Sequence, residues 1–79
     1  MQGATIIVFR GRFDPESFIE FVQHRARRLQ LDVVVERTGA DRIDVAVSGP
    51  RDLVDAFEMA CSLGPIDCLV REVERSSAA

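Results

Sequence analysis

The sequence predicts a two-layer α+β sandwich with the element order βαββαβ. Two segments bring an apolar residue to one side every three or four positions, as amphipathic helices do. Two β-branched runs flank a short polar turn, as hairpin strands do. Gly, Pro or an Asp cap stands at most of the junctions between segments. At 79 residues the chain is one small domain, 1–79. With 47% hydrophobic and 29% charged residues it has the composition of an ordinary globular protein, not of a disordered or fibrous one.

Thr5 to Phe9 (TIIVF) is a short β-branched run between Gly3 and Gly11 and reads as a buried strand. Asp14-Pro15-Glu16 then has the chemistry of a helix start: an N-cap carboxylate, a proline at the first helical position and an acid facing the helix dipole. Phe18, Phe21, Val22, Ala26 and Leu29 share one face, with Arg25 the polar interruption at its edge, so the first helix is expected from about Pro15 to about Gln30. Leu31–Arg37 reads as a strand, Thr38–Asp41 as a turn, and Arg42–Ser48 as a strand with Ile43, Val45 and Val47 on one face. Ser48-Gly49-Pro50 opens a second helix whose stripe is Leu53, Val54, Phe57, Ala60 and Cys61, ended by Gly64 and Pro65. A last strand is expected over Ile66–Val73, and residues 75–79 as a frayed polar tail. The simplest packing is a four-stranded antiparallel sheet with both helices on one face, a ferredoxin-like sandwich. Right-handed crossovers give it the order 4-1-3-2.

Net charge is −3, which argues against general nucleic-acid or anionic-membrane binding. No segment reaches the ~18 apolar residues of a membrane span, and the N-terminal apolar run carries no cleavage-site pattern, so a cytoplasmic location is expected. All ten Lys or Arg positions are Arg. They are scattered among thirteen acids, which reads as a coding preference rather than as ten anion ligands. Cys61 and Cys68, separated by six residues, form no CxxC pair and with one distant His no metal set; they read as small buried hydrophobes. No cofactor fingerprint or Walker loop is present, so no cofactor and no metal are expected.

The ordered pieces Gly11-Arg12, Phe18, Phe21-Val22, Ala26, Leu29, Leu31, Ile43-Asp44-Val45, Gly49-Pro50 and Leu63-Gly64-Pro65 resemble the acylphosphatase family, as do Cys68 and Val70 at its small and branched positions. The resemblance runs from Ile6 to Glu74. It implies a phosphate loop at the strand-to-helix turn, where that family has the pattern G-R-V-Q-G-V-G-F-R. Loop glycines let backbone amides converge on phosphate, an Arg binds its oxygens bidentately, and an Asn on the second strand orients water.

The aligned residues here are Gly11-Arg12-Phe13-Asp14-Pro15-Glu16-Ser17-Phe18-Ile19. Pro15 and Ser17 stand at loop-glycine positions, Ile19 at the Arg position, Arg37 at the Asn position, and Val34 where the family commonly has Trp. The resemblance therefore implies the architecture without the catalytic pair, and a domain acting by binding or assembly. In the competing reading, Arg37 and Arg12 substitute as phosphate ligands of an acyl-phosphate hydrolase. The family geometry puts Arg37 near Ile19, where it either replaces the missing cation or pairs with Asp14 or Glu16.

A third reading uses the helix-free face of the sheet, where Val34 and Ala46 lie among Asp32, Glu36, Arg42 and Asp44, to hold a small ligand or a protein. A free edge at strand two or four allows a homodimer. The basic cluster His24-Arg25-Ala26-Arg27-Arg28 complements the helix C-terminus and is expected to be solvated, as are Asp52, Asp55 and Glu58. Base stacking in the RNA-recognition manner is not expected, because strand three has no aromatic and strand one only Phe9. No Asp and nucleophile pattern accompanies His24 to make a hydrolytic triad.

Overall fold

A computed structural model describes residues 3–78. The elements are β1 (Ala4–Arg12), α1 (Pro15–Arg28), β2 (Asp32–Arg37), β3 (Arg42–Ser48), α2 (Arg51–Leu63) and β4 (Leu69–Ala78). The sheet order is β2-β3-β1-β4 with every pair antiparallel, which is the predicted order read from the other edge.

Alternation decides which side chains enter the core. Ile7 and Phe9 of β1 and Ile43, Val45 and Val47 of β3 are buried toward the helices, while Ile6 and Val8 are half-buried on the opposite face. Phe18, Val22 and Ala26 of α1 and Val54, Phe57 and Cys61 of α2 close the core, with Phe13 and Leu31 at its ends. The Phe18 ring packs edge-on to Phe9 at 5.2 Å and tilted against Phe13 at 4.7 Å. No polar or charged side chain among the described residues is fully buried.

β1 and β2 start one residue away from the sequence reading, at Ala4 and Asp32, and four boundaries differ by more. β1 does not end at Phe9: it runs to Arg12 through a register shift between Arg10 and Gly11. The shift brings the backbone so close to β4 that a Cβ on residue 11 would lie 1.9 Å from the Leu69 carbonyl oxygen. Only glycine fits there.

α1 ends at Arg28, not Gln30. Gln30 turns into the left-handed region at φ 56, and the Leu31 amide bonds back to the Ala26 carbonyl at 2.9 Å, which turns Leu31 into the core. β4 starts at Leu69 rather than Ile66, because Pro65–Asp67 make a turn closed by the Cys68 amide on the Pro65 carbonyl.

Nor is the polar tail frayed through residue 78: Ser76, Ser77 and Ala78 pair with Ile6, Thr5 and Ala4. Arg75 stands opposite Ile7 on the helix side and ties Asp55 and Glu58 of α2 to the sheet. Those two carboxylates, expected to be merely solvated, are ion-paired. Position 79 lies outside the described residues.

Candidate functional site

The turn from β1 to α1 is where the resemblance places a phosphate loop. Asp14 has extended backbone angles (φ −85, ψ 106), and its side-chain Oδ1 accepts the Ser17 amide at 3.3 Å, as an N-cap does. Its carbonyl accepts the Phe18 amide at 3.0 Å. Pro15 has no N–H to offer.

The amides just upstream are also committed. Gly11 donates to the Asp41 carbonyl at 3.1 Å and Phe13 to the Ala40 carbonyl at 2.7 Å, which fastens the end of β1 to the β2–β3 turn. Truncating Asp14 to Ala is expected to cost about 1 kcal/mol of stability, read as a lower urea midpoint with an unchanged m-value.

A third carboxylate joins Asp14 and Glu16 from a distant part of the chain. α2 runs antiparallel to α1, so the turn after α2 meets the start of α1. Asp67 Oδ1 accepts the Ser17 hydroxyl at 2.9 Å. The Cys68 Sγ stands 3.8 Å from the Asp14 carbonyl oxygen and 3.7 Å from Asp67 Oδ1. Burial, reinforced by the charges of Asp67 and Asp14, pushes the Cys68 thiol pKa up. Burial pushes the Cys61 thiol up to about 12, so neither thiol is a ready thiolate near neutral pH. Sequence reasoning placed Ser17 in this turn but missed Asp67 as its partner; the βαββαβ order, which brings the end of α2 to the start of α1, was the signal that could have found it.

Ile19 is half-buried on α1. Arg12 is exposed at the end of β1 opposite Leu69, and Arg37 is exposed at the end of β2 opposite Asp44. Two strand spacings and four residues of rise separate the two arginines, on the order of 15 Å between Cα atoms. They stand at the same end of the sheet, on strands separated by β3. Arg37 does not pair with Asp14 or Glu16: among the described residues neither Arg37 nor Arg12 makes an ion pair. The register shift between Val35 and Arg37 sets Arg37 level with a residue of the helix-free face. The Asp44 carboxylate there is already held by Arg42, Nε to Oδ1 at 2.8 Å and Nη2 to Oδ2 at 3.0 Å. This bond raises the Arg42 pKa.

On that helix-free face Val34 stands opposite Ala46, and Ala46 opposite Ile6. This narrow apolar row is flanked by the Arg42–Asp44 pair and by Arg10–Glu74 at 2.7 Å. On α1, His24, Arg27 and Arg28 are exposed as expected, whereas the Arg25 guanidinium lies 4.9 Å over the Phe21 ring. No helix of the described residues is long and apolar enough to cross a membrane, and no group of three or more His, Cys, Asp or Glu among them is placed to hold a metal ion.

No protein-family model and no curated protein sequence matches the chain. Solved structures do. An acylphosphatase from Bacillus subtilis superposes with a TM-score of 0.86, covering 99% of this chain and 86% of that one at 23% identity. An acylphosphatase from Coxiella burnetii gives 0.81, covering 99% and 82% at 24% identity. The strand order, the two-helix layer and these superpositions together show that the chain has the acylphosphatase fold.

Proposed function

We propose that this chain is a non-catalytic domain of acylphosphatase architecture that acts by binding or assembly. The observation that carries the reading is the first turn of α1. There Asp14 takes the Ser17 amide, a proline replaces a donor, and Asp14, Glu16 and Asp67 gather around the turn. A carboxylate ~5 Å from a unit anion repels it by on the order of 1 kcal/mol even in a water-like dielectric, and more where the site is dry. With Ile19 at the Arg position of the resembled family, the bidentate contact that would offset this repulsion is missing. Each ~1.4 kcal/mol lost from the transition state is tenfold in rate, so these deficits together remove several orders of magnitude.

The second reading, a hydrolase of acyl phosphates, is favoured by one observation: Arg12 and Arg37 are exposed and unpaired among the described residues. Benzoyl phosphate hydrolysis, corrected for the spontaneous rate, separates the two. No turnover above background is expected. Turnover that disappears in Arg37→Ala would make Arg37 the catalytic cation and end the non-catalytic reading. The double variant Ile19→Arg with Arg37→Asn is also expected to stay inactive while Asp14 caps the turn.

A further inference from the structure

An apolar ridge at the end of α2 has no role so far, and beside it α1 carries acids at its start and a basic half at its end. Met59 and Leu63 share the outward face of α2, and Ile66 follows just past the Gly64 turn. They are 73%, 82% and 105% exposed, three large apolar side chains in succession on a surface that is otherwise largely polar. Exposed apolar clusters of this kind mark contact surfaces. Beside the ridge lies a largely charged groove of about 510 Å³ along α1, lined by Glu16, Glu20, His24 and Arg27 as well as Phe21 and Pro65.

The charges on that face are divided. Glu16 and Glu20 sit on the N-terminal half of α1, next to the ridge, and His24, Arg27 and Arg28 on the C-terminal half. A two-fold axis through the middle of α1 runs the helix antiparallel to its copy. Centred near Val22, position 16 faces position 28 and position 20 faces position 24. Each acidic half then meets a basic half, and each ridge, at the end of α2, is covered by the other copy's second helix. Self-complementarity of this sort is what an isologous contact requires.

The geometry points to this helical face as a homodimer interface, its occupant a second copy of the chain. A standard contact takes about 800 Å² from each partner, which is on the order of a sixth of the 5135 Å² surface. The sheet edges are poorer candidates: β4 carries Arg71, Glu72 and Glu74, edge charges of the kind that discourage strand addition. The inference supplies a partner for the assembly reading above and rests on it. It is read by mass rather than turnover, so the two can fail separately.

Sedimentation equilibrium of the chain from about 10 µM to about 1 mM, a range that brackets weak specific association, is the test. Reversible dimerisation is expected in the wild type. Leu63→Asp and Ile66→Asp, both at exposed positions and checked for folding by circular dichroism, are expected to remain monomeric throughout. Glu16→Arg is expected to weaken the dimer about tenfold or more, and Glu16→Arg with Arg28→Glu to restore it, as exchanged partners of a charge pair do. A monomeric wild type at about 1 mM would overturn the proposal and leave the ridge to a different partner. A dimer that survives both ridge variants would also overturn it, because the contact would then lie elsewhere, as at a sheet edge.

Discussion

Phe18→Ala is expected to bring the domain to the margin of unfolding at room temperature. Phe18 is fully buried and its ring touches both Phe9 and Phe13, so it joins β1, the β1–α1 turn and α1. Truncating such a ring costs about 3–5 kcal/mol, the transfer term plus the cavity left behind. Domains hold about 0.05–0.15 kcal/mol per residue, which for this length is on the order of 4–12 kcal/mol in total. One substitution thus removes between a quarter and all of the stability. Urea denaturation followed by far-UV circular dichroism checks it, with Phe18→Leu as the control that keeps most of the volume. A midpoint for Phe18→Ala close to that of Phe18→Leu would mean that the helix settles onto the sheet and fills the hole.

Gly11→Ala is expected to be the most damaging small substitution, although it adds one methyl group. The Cβ would meet the Leu69 carbonyl oxygen at 1.9 Å, a backbone atom that cannot rotate away. Either the β1–β4 ladder opens beyond the register shift, or β1 lifts off the Asp41 carbonyl that holds the Gly11 amide. Both routes give up backbone hydrogen bonds, at about 2–4 kcal/mol in all. Hydrogen exchange locates the damage: amides near Leu69 and Val70 should lose protection, while Ser76 and Ser77 at the other end of the ladder keep theirs. A variant within about 0.5 kcal/mol of wild type would show that the bulge relaxes freely.

The fold was legible because the decisive signals were local. Ile43, Val45 and Val47 alternate, Phe18, Val22 and Ala26 share a helical face, and Gly64 takes the positive φ of 62 that its place after α2 suggested. Given four strands and two helices in that order, the handedness of crossovers left one sheet order. Residues 75–78 were not legible as strand because they carry no apolar signal. Their pairing rests on main-chain bonds to Ala4–Ile7, to which side-chain identity contributes little, and on the reach of Arg75 to α2.

At the candidate site the Asp14 cap was readable from Asp14-Pro15-Glu16 alone. The contribution of Asp67 was not, because it lies fifty positions from Ser17 in the chain. The fate of Arg37 turned on one extra residue in β2: the bulge at Glu36 alters which residue it opposes, and nothing in the DVVVER segment announces a bulge.

The pairing of Ala4 with Ala78 has a kinetic meaning. β1 is a central strand, yet one of its two neighbours, β4, is made after every other element of the sheet. Contacts so distant along the chain are entropically the hardest to close, and domains rich in them fold slowly. During synthesis the nascent chain can assemble β1, α1, β2 and β3, but one side of β1 stays bare until residue 78 has left the ribosome. For that interval the most apolar strand of the protein is an open edge, and whatever shields it governs how much of the chain reaches the native state.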